Sequence, residues 1–360
     1  MRLLLSLTDQ SFSATKSAGI FNVSTGLMRA LAQHPAVAEL HLLGNSECAD
    51  SFRGLPEKVI PHLTDKPVPQ RFSRVFWDQW GVSDAIRRIA PDWAVLPKGF
   101  PPFFPRLGKT KLACYLHDVN WEYYDRAQRK KGICPFPMHE LLYFRTLGLR
   151  ALRRSDLVLT STHFNKARFR AYEPKAPVAV VGIGFDTAPA PSAPRSGRDI
   201  LFFGSPYPHK LTPLGMQRVE AWRQRRADAD RIRIHMVGYK LKDIETPGSH
   251  WLSYGRIPQE ELQRMMQEHI RVSVYFSDYE GFGMPPVESL RAGLPCVASD
   301  IPAIRENVPA RFLFDNPSEE SFIRTMDAAY DGNGVGKIPP FPTWTEVADR
   351  VIQAMQNPQN

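Results

Sequence analysis

Short apolar segments alternate along this sequence with segments of helical periodicity, and this alternation limits the possible folds more than any other feature. In the first half, the strand signals are LLLSL after Met1 and the segments 39–44, 92–97, 111–118, 155–162 and 178–184. Amphipathic patterns such as GLMRALAQHP and HELLYFRTLGLRALRRS lie between them. Short strands that alternate with helices are typical of parallel βαβ units. The sequence therefore predicts an α/β fold.

A proline-rich break divides this pattern into two halves. The segment FDTAPAPSAPRSGRD contains three prolines and no periodicity, which is typical of a linker. Beyond it, strand signals resume with DILFFGS, RIRIHMVG, HWLSYG, VSVYFS and LPCVAS. A chain of 360 residues has room for about two domains. We predict a first domain over 1–184, a linker over 185–199, a second domain over 200–342, and a C-terminal helix over 343–360 that can cross back to the first domain. Thr343 or Thr345 would cap that helix.

Cysteine usage and hydropathy indicate the compartment. The four cysteines form no Cys-x-x-Cys pair, so neither a disulfide framework nor a thiolate zinc site is indicated. The opening MRLLLSLTDQ lacks a cleavage site, and no apolar run reaches the roughly 20 residues that span a bilayer. We therefore expect a cytoplasmic protein.

The net charge of +9 favours anionic partners such as nucleotide phosphates. Basic residues cluster at 126–132, 145–154 and 166–170, where they mix with Phe, Leu and Tyr at helical spacing. Two interpretations of these clusters remain open. They are either an ordinary solvated surface or a peripheral contact with an anionic membrane surface, on the inner face of the plasma membrane. We expect no nucleic-acid partner.

Two acids flank a glycine turn in the segment SDYEGFGMPPVESLRAGLPCVAS. Glu280 and Glu288 are eight residues apart around Gly281 and Gly283, between a predicted strand and a predicted helix. In doubly wound sheets, ligands bind where loops lead from strand ends into helices. The glycines let the backbone approach a ligand, and free N–H groups at a helix start favour an anion such as phosphate.

Carboxylates would repel a phosphate, so these two acids are better suited to accept hydrogen bonds from neutral hydroxyl groups. A sugar nucleotide carries hydroxyl groups on its hexose and on its ribose, with a pyrophosphate between them. The alternative is that both acids lie on an ordinary surface, where Glu288 would complement the helix dipole.

The segment EGFGMPPVESLRAGLPCVASDIPAIREN resembles the Glu-x7-Glu signature of retaining glycosyltransferases of family four, in their mannosyltransferase-like group. Members of that family read E-G-F-G-hydrophobic-P-x-x-E, then A-x-G-x-P-V, then P-x-x-x-E. This chain has the first and third elements in full and, of the second, Gly293 and Pro295. The resemblance implies the GT-B fold, in which two Rossmann-like doubly wound domains face a central cleft. It also implies a metal-independent enzyme without a cofactor, whose substrate is a nucleotide-diphosphate sugar such as GDP-mannose or UDP-glucose.

The resemblance extends to the segment FFGSPYPHKL, residues 202–211. It is similar to the family's strand, glycine and lysine that hold the donor diphosphate, which assigns that role to Lys210. The family often has Arg at the position of Ser205. A second cation is therefore either missing or supplied by His209.

The first half carries the family's acceptor-side features. CYLHDVN contains His117 and Asp118, where the family places a His-Asp pair facing the reacting sugar. KSAGIFNVSTGLMRAL places Gly19 at the position of the family's early glycine turn. Lys98 lies in the proline-rich and aromatic segment PKGFPPFFPRLGK, residues 97–109, which either shapes the acceptor site or is an ordinary packed loop.

The resemblance implies a role for each of these residues. Glu280 would bind hydroxyl groups of the donor sugar and Glu288 those of the ribose, while Lys210 and backbone amides of the turn would hold the diphosphate. The implied catalytic residues are His117, Asp118, Lys210 and Glu280. The implied donor-binding residues are Gly204, Ser205, His209, Lys210, Glu280, Gly281, Phe282, Gly283, Met284 and Glu288. The implied acceptor-side residues are Gly19, Lys98 and His117.

Two motifs that imitate metal sites are weak. Asp228 and Asp230 form an Asp-x-Asp pattern, but they lie in a charged stretch that is typical of a solvated helix end. His139 lacks the second histidine, four residues later, that a helical zinc pair needs. We therefore expect no metal site.

By this resemblance, the chain is a hexosyltransferase of bacterial-type polysaccharide or lipopolysaccharide synthesis. Its partners would be a nucleotide sugar and a glycan or lipid-linked saccharide acceptor. Two alternatives stay open, namely a sugar-nucleotide epimerase or sugar-phosphate synthase of the same fold, and a non-catalytic nucleotide-sugar-binding subunit. The sequence does not choose the nucleotide base, the hexose or the acceptor.

Overall fold

The computed structural model describes residues 1–7, 18–64, 77–124, 132, 134–186, 197–240, 248–332 and 334–357. The chain forms two compact units. Unit 1 comprises Met1–Trp121, Pro137–Asp186 and Phe341–Asn360, and unit 2 comprises Glu122–Phe136 and Thr187–Pro340. Residues 122–136, which the sequence analysis places in the first domain, therefore belong to unit 2. Of the predicted linker, residues 187–196 lie outside the described residues, and Asp199 already begins a strand.

Unit 1 contains a parallel sheet whose described strands follow the order β3-β2-β1-β4-β5-β6-β7. These strands are β1 Arg2–Ser6, β2 Glu39–Asn45, β3 Val59–Thr64, β4 Trp93–Leu96, β5 Lys111–Tyr115, β6 Leu157–Thr160 and β7 Val178–Val180. The inner strands are buried apolar runs, as expected for a parallel sheet that is covered on both faces. The sequence does not predict β3, because Pro61 interrupts the segment and none of its residues is buried. A strand that contains proline belongs at a sheet edge, and β3 lies there.

The described helices of unit 1 are α1 Ala18–Gln33, α2 Val82–Ile89, α3 Met138–Arg154, α4 His163–Tyr172 and the C-terminal α10 Trp344–Gln356. The first four of these helices lie in connections between parallel strands, as the alternation in the sequence predicts. Within the described ranges of the whole chain, no helix has the length and apolar character needed to cross a membrane.

The C-terminal helix α10 packs in unit 1 against α1. Thr343 is its N-cap, because the Thr343 hydroxyl accepts a hydrogen bond from the Glu346 amide (3.2 Å) and the Glu346 carboxylate accepts one from the Thr343 amide (2.7 Å). Trp344 lies against two glycines. A Cβ atom on Gly26 would lie 2.1 Å from its ring, and one on Gly184 would lie 2.5 Å from its Cα atom. The indole therefore fits only because both positions lack a side chain.

Unit 2 contains a second parallel sheet, with the described order β10-β9-β8-β11-β12-β13. Its strands are β8 Asp199–Phe203, β9 Ile234–Val237, β10 Trp251–Gly255, β11 Ile270–Tyr275, β12 Cys296–Ser299 and β13 Leu313–Phe314. Its described helices are α5 Thr212–Gln224, α6 Gln259–Glu268, α7 Met284–Arg291, α8 Pro302–Arg305 and α9 Glu319–Asp331. The sequence does not predict β13, since a strand of two residues is too short for a periodic signal.

The strands β8 and β11 are neighbours in the sheet of unit 2 and run parallel. Their carboxyl ends therefore meet at one edge, where ligands bind in doubly wound sheets. The two loops that follow these strands touch, because the Asp278 amide donates a hydrogen bond to the His209 carbonyl (2.7 Å). This adjacency brings the predicted lysine loop next to the predicted glycine turn.

Candidate active site

The loop after β8 is fixed by Thr212, the first residue of α5. The Thr212 hydroxyl accepts a hydrogen bond from the Ser205 amide (2.9 Å) and donates one to the Ser205 carbonyl (2.7 Å). At Gly204 a Cβ atom would lie 3.0 Å from the sulfur of Met236, so this position has little room for a side chain. Both predicted donor-side residues therefore lie in a constrained backbone, just before the helical turn Pro208–Lys210.

Lys210 and Glu280 form an ion pair whose side chains are only 19% and 11% exposed. The Lys210 ammonium also donates to the Tyr275 hydroxyl (2.7 Å), and that hydroxyl donates to the Glu280 carboxylate. Burial raises the pKa of Glu280, but the charge and hydrogen bonds of its partners, Lys210 first among them, lower it more. The net pKa lies below the ordinary value, so the carboxylate is ionised near neutral pH. The structure thus brings together the predicted lysine and the first acid of the signature.

His209 is a buried residue whose surroundings disfavour a positive charge on its ring. It is 7% exposed, and its Nδ1 atom lies 2.5 Å from the Tyr124 hydroxyl. Burial and the neighbouring charge of Lys210 lower the pKa of His209 to about 4. The second cation was expected to be either missing or supplied by His209, and this lowered pKa favours the first possibility. The backbone of His209 instead connects the two loops through its carbonyl.

The glycine turn between β11 and α7 needs its glycines. It begins at Gly281 and ends at Gly283, which has a left-handed φ of +87° and forms the N-cap of α7. A Cβ atom on Gly283 would lie 3.1 Å from the side chain of Ile304. The turn is tied down from outside, because the Asn307 amide group donates to the Phe282 carbonyl (3.0 Å).

The backbone amides of this turn are open to an anion. Those of Phe282, Gly283 and Met284 donate to no other residue within the described ranges. The next two residues, Pro285 and Pro286, have no amide hydrogen at all. Free amides and the dipole at a helix start favour a negative charge, so this is the place in unit 2 where a phosphate would be stabilised.

Glu288, the second acid of the signature, lies inside α7 and is half-buried. Its carboxyl group has no ion-pair or hydrogen-bond partner among the residues that the structure describes. Burial raises the pKa of Glu288 to about 7. A buried carboxyl group without a partner opposes folding, and groups with such shifted pKa values concentrate at functional sites.

The predicted catalytic histidine of unit 1 is also neutral. The Nε2 atom of His117 lies 2.8 Å from the carbonyl oxygen of Pro97, which can only accept, so Nε2 carries the proton. Burial lowers the pKa of His117 to about 4, although this hydrogen bond acts in the opposite direction. Asp118 accepts a hydrogen bond from the Asn120 amide (2.9 Å), which stabilises the turn after the histidine.

The other predicted acceptor-side residues share one edge of the unit 1 sheet. Gly19 lies in the first turn of α1, which follows β1, and Lys98 follows β4. His117 follows β5, and the strands β1, β4 and β5 are neighbours. Burial lowers the pKa of Lys98 to about 8, and its ammonium lies 5.8 Å from the centre of the Phe100 ring. These three residues therefore lie at the carboxyl end of the sheet, where acceptor loops would be expected.

Comparison with known proteins finds a family model that matches part of the chain, and it shows the fold. Residues 216–337 match the family of glycosyl transferases group 1. The structure is similar to sucrose-phosphate synthase from Thermosynechococcus elongatus, with a TM-score of 0.65 at 13% identity over 100% of this chain and 95% of that one. It is also similar to Anabaena HepE in complex with UDP and glucose, with a TM-score of 0.59 at 13% identity over 99% and 95%. The fold is GT-B.

A curated relative points in the same direction. The O-antigen chain mannosyltransferase RfbU of Salmonella typhimurium (strain LT2) is 24% identical over 230 residues, which cover 60% of this chain and 63% of that protein. The chain thus spans less than two thirds of this relative's length. The group 1 match contains Glu280 and Glu288, whereas Lys210 lies just before it.

The GT-B structure adds neighbours of the site that sequence reasoning missed. Tyr275 is hidden in the strand signal VSVYFS, where an aromatic residue is ordinary. Tyr124 is 85 residues away from its partner His209, and no periodic pattern connects them. Asn307 has no signal of its own, because a side-chain amide can bond almost anywhere.

No group of three or more metal-binding side chains occurs within the described ranges of this GT-B protein. In the Asp-x-Asp pattern, Asp228 accepts a hydrogen bond from Arg226 (3.3 Å) and so belongs to a surface ion-pair cluster.

Proposed function

We propose that this protein is a retaining, metal-independent hexosyltransferase that moves a mannose- or glucose-type hexose from a nucleotide-diphosphate sugar to a glycan or lipid-linked saccharide. The reaction would belong to bacterial-type polysaccharide or lipopolysaccharide synthesis in the cytoplasm. The observation that carries the proposal is the buried pair of Lys210 and Glu280, next in sequence to three open amides at the start of α7.

The departing diphosphate poses the main electrostatic demand of this reaction. Transfer breaks the bond between the anomeric carbon and a phosphate oxygen, so positive charge develops on the sugar and negative charge on the leaving group. Lys210 would neutralise that charge, since a lysine ammonium can meet a phosphate from many angles. The amides of Phe282, Gly283 and Met284 would add hydrogen bonds, and the helix dipole would add about half a positive charge. These groups supply the charge for which other transferases use a metal ion.

The two acids would hold the sugars on either side of the diphosphate. Glu280 is ionised and can accept hydrogen bonds from hydroxyl groups of the hexose. Glu288 lacks any partner among the described residues, so ribose hydroxyl groups would satisfy its carboxyl group.

His117 would face the reacting sugar as a neutral side chain. Its protonated Nε2 is held by the Pro97 carbonyl, so its Nδ1 atom is left as an acceptor. We propose that Nδ1 accepts a hydrogen bond from a sugar hydroxyl, and that Asp118 keeps the following turn in place. The acceptor hydroxyl would then attack from the face that the phosphate leaves, which retains the anomeric configuration.

Similar proteins support the choice of substrates. The Salmonella relative is named for transfer of mannose to an O-antigen chain, which supports a mannose-type donor and a saccharide acceptor. The similar structure of Anabaena HepE contains UDP and glucose, which supports a nucleotide sugar.

A ligand panel followed by a transfer assay tests this function. We expect one of UDP, GDP and dTDP to raise the unfolding midpoint, because a ligand at about 100 times its dissociation constant adds roughly 2.7 kcal/mol. The matching nucleotide sugars are then incubated with and without lipid-linked saccharides. A glycoside that forms only with acceptor is the expected product.

The other outcomes of this assay overturn the proposal in different ways. A changed sugar nucleotide without acceptor would identify an epimerase, and transfer to a sugar phosphate would identify a synthase. Nucleotide binding without any product would identify a non-catalytic subunit. If no nucleotide binds to the folded protein, the site assignment in unit 2 is wrong.

We further propose peripheral contact with an anionic membrane surface through α3. Met138 and Leu142 are 59% and 62% exposed, and the exposed Arg145 follows on the same helix face. Such a face can insert apolar side chains at a bilayer surface while its cations meet lipid phosphates. The basic cluster 126–132 lies almost entirely outside the described residues.

Co-sedimentation with vesicles tests this contact. The protein should sediment with phosphatidylcholine vesicles that contain phosphatidylglycerol, and less so at high salt, because screening weakens the attraction. Leu142→Glu should abolish sedimentation, whereas Ile60→Glu, at an apolar position of β3 that is 38% exposed, should not. Equal sedimentation of both variants, or none by the wild type, would disprove the contact.

A further inference from the structure

Tyr275 ends β11 and lies between the two charged residues of the candidate site. It is 4% exposed, and its ring packs against Phe203, with the ring centres 6.2 Å apart. Its hydroxyl accepts a hydrogen bond from the Lys210 ammonium (2.7 Å) and donates one to Oε1 of Glu280. A phenol hydroxyl has one hydrogen to donate, and the bond to Glu280 uses that hydrogen.

Lys210 and Tyr275 bind only one of the two oxygens of the Glu280 carboxylate. Both Lys210 and Tyr275 bind Oε1, and Oε2 accepts no hydrogen bond from any residue that the structure describes. The contacts therefore fix the carboxylate through one oxygen and leave the other for a ligand. A hydroxyl group of the donor sugar is the partner that suits an ionised carboxylate oxygen.

The hydrogens of the Lys210 ammonium are likewise only partly used by these contacts. It has three hydrogens, of which one is directed to Tyr275 and one to Glu280. The third meets no acceptor within the described ranges, so it remains for a phosphate oxygen. An ion pair alone would let the flexible lysine side chain move between both carboxylate oxygens, whereas a third partner of fixed position limits that movement.

We propose that Tyr275 is a positioning residue of the donor site. Its hydroxyl holds Lys210 and Glu280 so that one ammonium hydrogen and one carboxylate oxygen stay available to the diphosphate and the hexose. When the diphosphate attracts Lys210, the Tyr275 hydroxyl remains as the hydrogen-bond donor to Glu280. This inference rests on the proposed transfer function and adds to it a residue that the signature does not contain.

The substitution Tyr275→Phe tests this role, because it keeps the ring and removes only the hydroxyl. We expect kcat/KM for the donor to fall about tenfold, as for loss of a hydrogen bond to a charged group. In the wild type, the hydrogen bond from Tyr275 lowers the pKa of Glu280. Its loss should raise that pKa, so we also expect the acidic limb of the pH profile to move to higher pH. Tyr330→Phe is the matched control, since Tyr330 is 5% exposed in the same unit and donates to the Arg198 carbonyl (2.8 Å).

A purely structural tyrosine would behave differently. Both variants would then lose thermal stability alike, and the pH profile and kcat/KM of Tyr275→Phe would match those of Tyr330→Phe, which would overturn the inference. Should Tyr275→Phe not fold, Tyr275→3-fluorotyrosine replaces it. That more acidic phenol should move the acidic limb to lower pH, and an unmoved limb would refute the role. Absence of nucleotide binding by the wild type would instead refute the proposed function itself.

Discussion

Replacing Lys210 with methionine should reduce transfer by about 10²–10³-fold, as for loss of a preorganised group that stabilises developing negative charge. The same change should lower the free energy of unfolding by about 3 kcal/mol, because it leaves the carboxylate of Glu280 buried without its cation. The Tyr275 hydroxyl alone cannot replace a full charge. Urea denaturation near neutral pH and initial rates with saturating acceptor measure the two effects.

The double variant Lys210→Met with Glu280→Gln separates charge burial from catalysis. Since neither charge remains, most of the lost stability should return, while transfer stays at least as strongly reduced as in the single variant. Arg305→Met is the matched control in the same unit, because Arg305 is 58% exposed and pairs with Asp300 at the surface. It should cost less than about 1 kcal/mol and leave transfer intact. A double variant that is no more stable than the single one would show that the buried pair is not coupled.

Glu288→Gln should make the protein more stable and a weaker nucleotide binder. The folded-state pKa of Glu288 is about 7, above the ordinary value of 4.5, because burial disfavours the charged form. Below about pH 4.5 the carboxyl group is neutral in the folded and the unfolded protein, so it does not reduce the free energy of unfolding. As the pH rises through about 7, the buried group is forced to ionise and this free energy falls. A neutral amide avoids this loss. At about pH 8 the variant should gain on the order of 1 to 2 kcal/mol, after allowance for partial exposure.

Two measurements check this second prediction. Urea denaturation at several pH values should show the variant and the wild type converging as the pH falls toward about 5. Calorimetric titration at about pH 8, where Glu288 of the wild type is ionised, should show about tenfold weaker binding of the preferred nucleoside diphosphate, because the ribose loses a charged acceptor. Glu261→Gln, at an exposed position of α6, should change neither quantity. A variant with unchanged stability and affinity would remove Glu288 from the site.

The sequence predicts much of the fold because the inner strands of parallel sheets are buried on both faces and therefore read as apolar runs. Prediction from the sequence fails where a strand is exposed or too short to show a periodic apolar pattern. The edge strand β3 contains Pro61 and exposed side chains, and β13 has only two residues. The assignment of residues 122–136 to unit 2 leaves no signal in the sequence, because membership of a compact unit depends on distant contacts.

The candidate site is predictable only to the level of its signature. The spacing of Glu280 and Glu288 around a glycine turn is visible in the sequence, and the structure places Glu280 in the loop after β11 and Glu288 in α7, the helix that follows this loop. The charge state of His209 is not visible, because it depends on burial by residues far away in the chain such as Tyr124. The hydroxyl of Tyr275 is likewise invisible, since an aromatic residue in a strand indicates only packing.

The position of α10 determines the order in which a ribosome can complete the two units. Every residue of unit 2 precedes Phe341, whereas unit 1 needs the final segment to cover the surface of α1 around Gly26. Domains of nascent chains usually finish from the N-terminal end. Unit 1 is synthesised first, but it is completed only when α10 has been made. The surface of α1 that α10 covers therefore stays exposed while the ribosome translates unit 2.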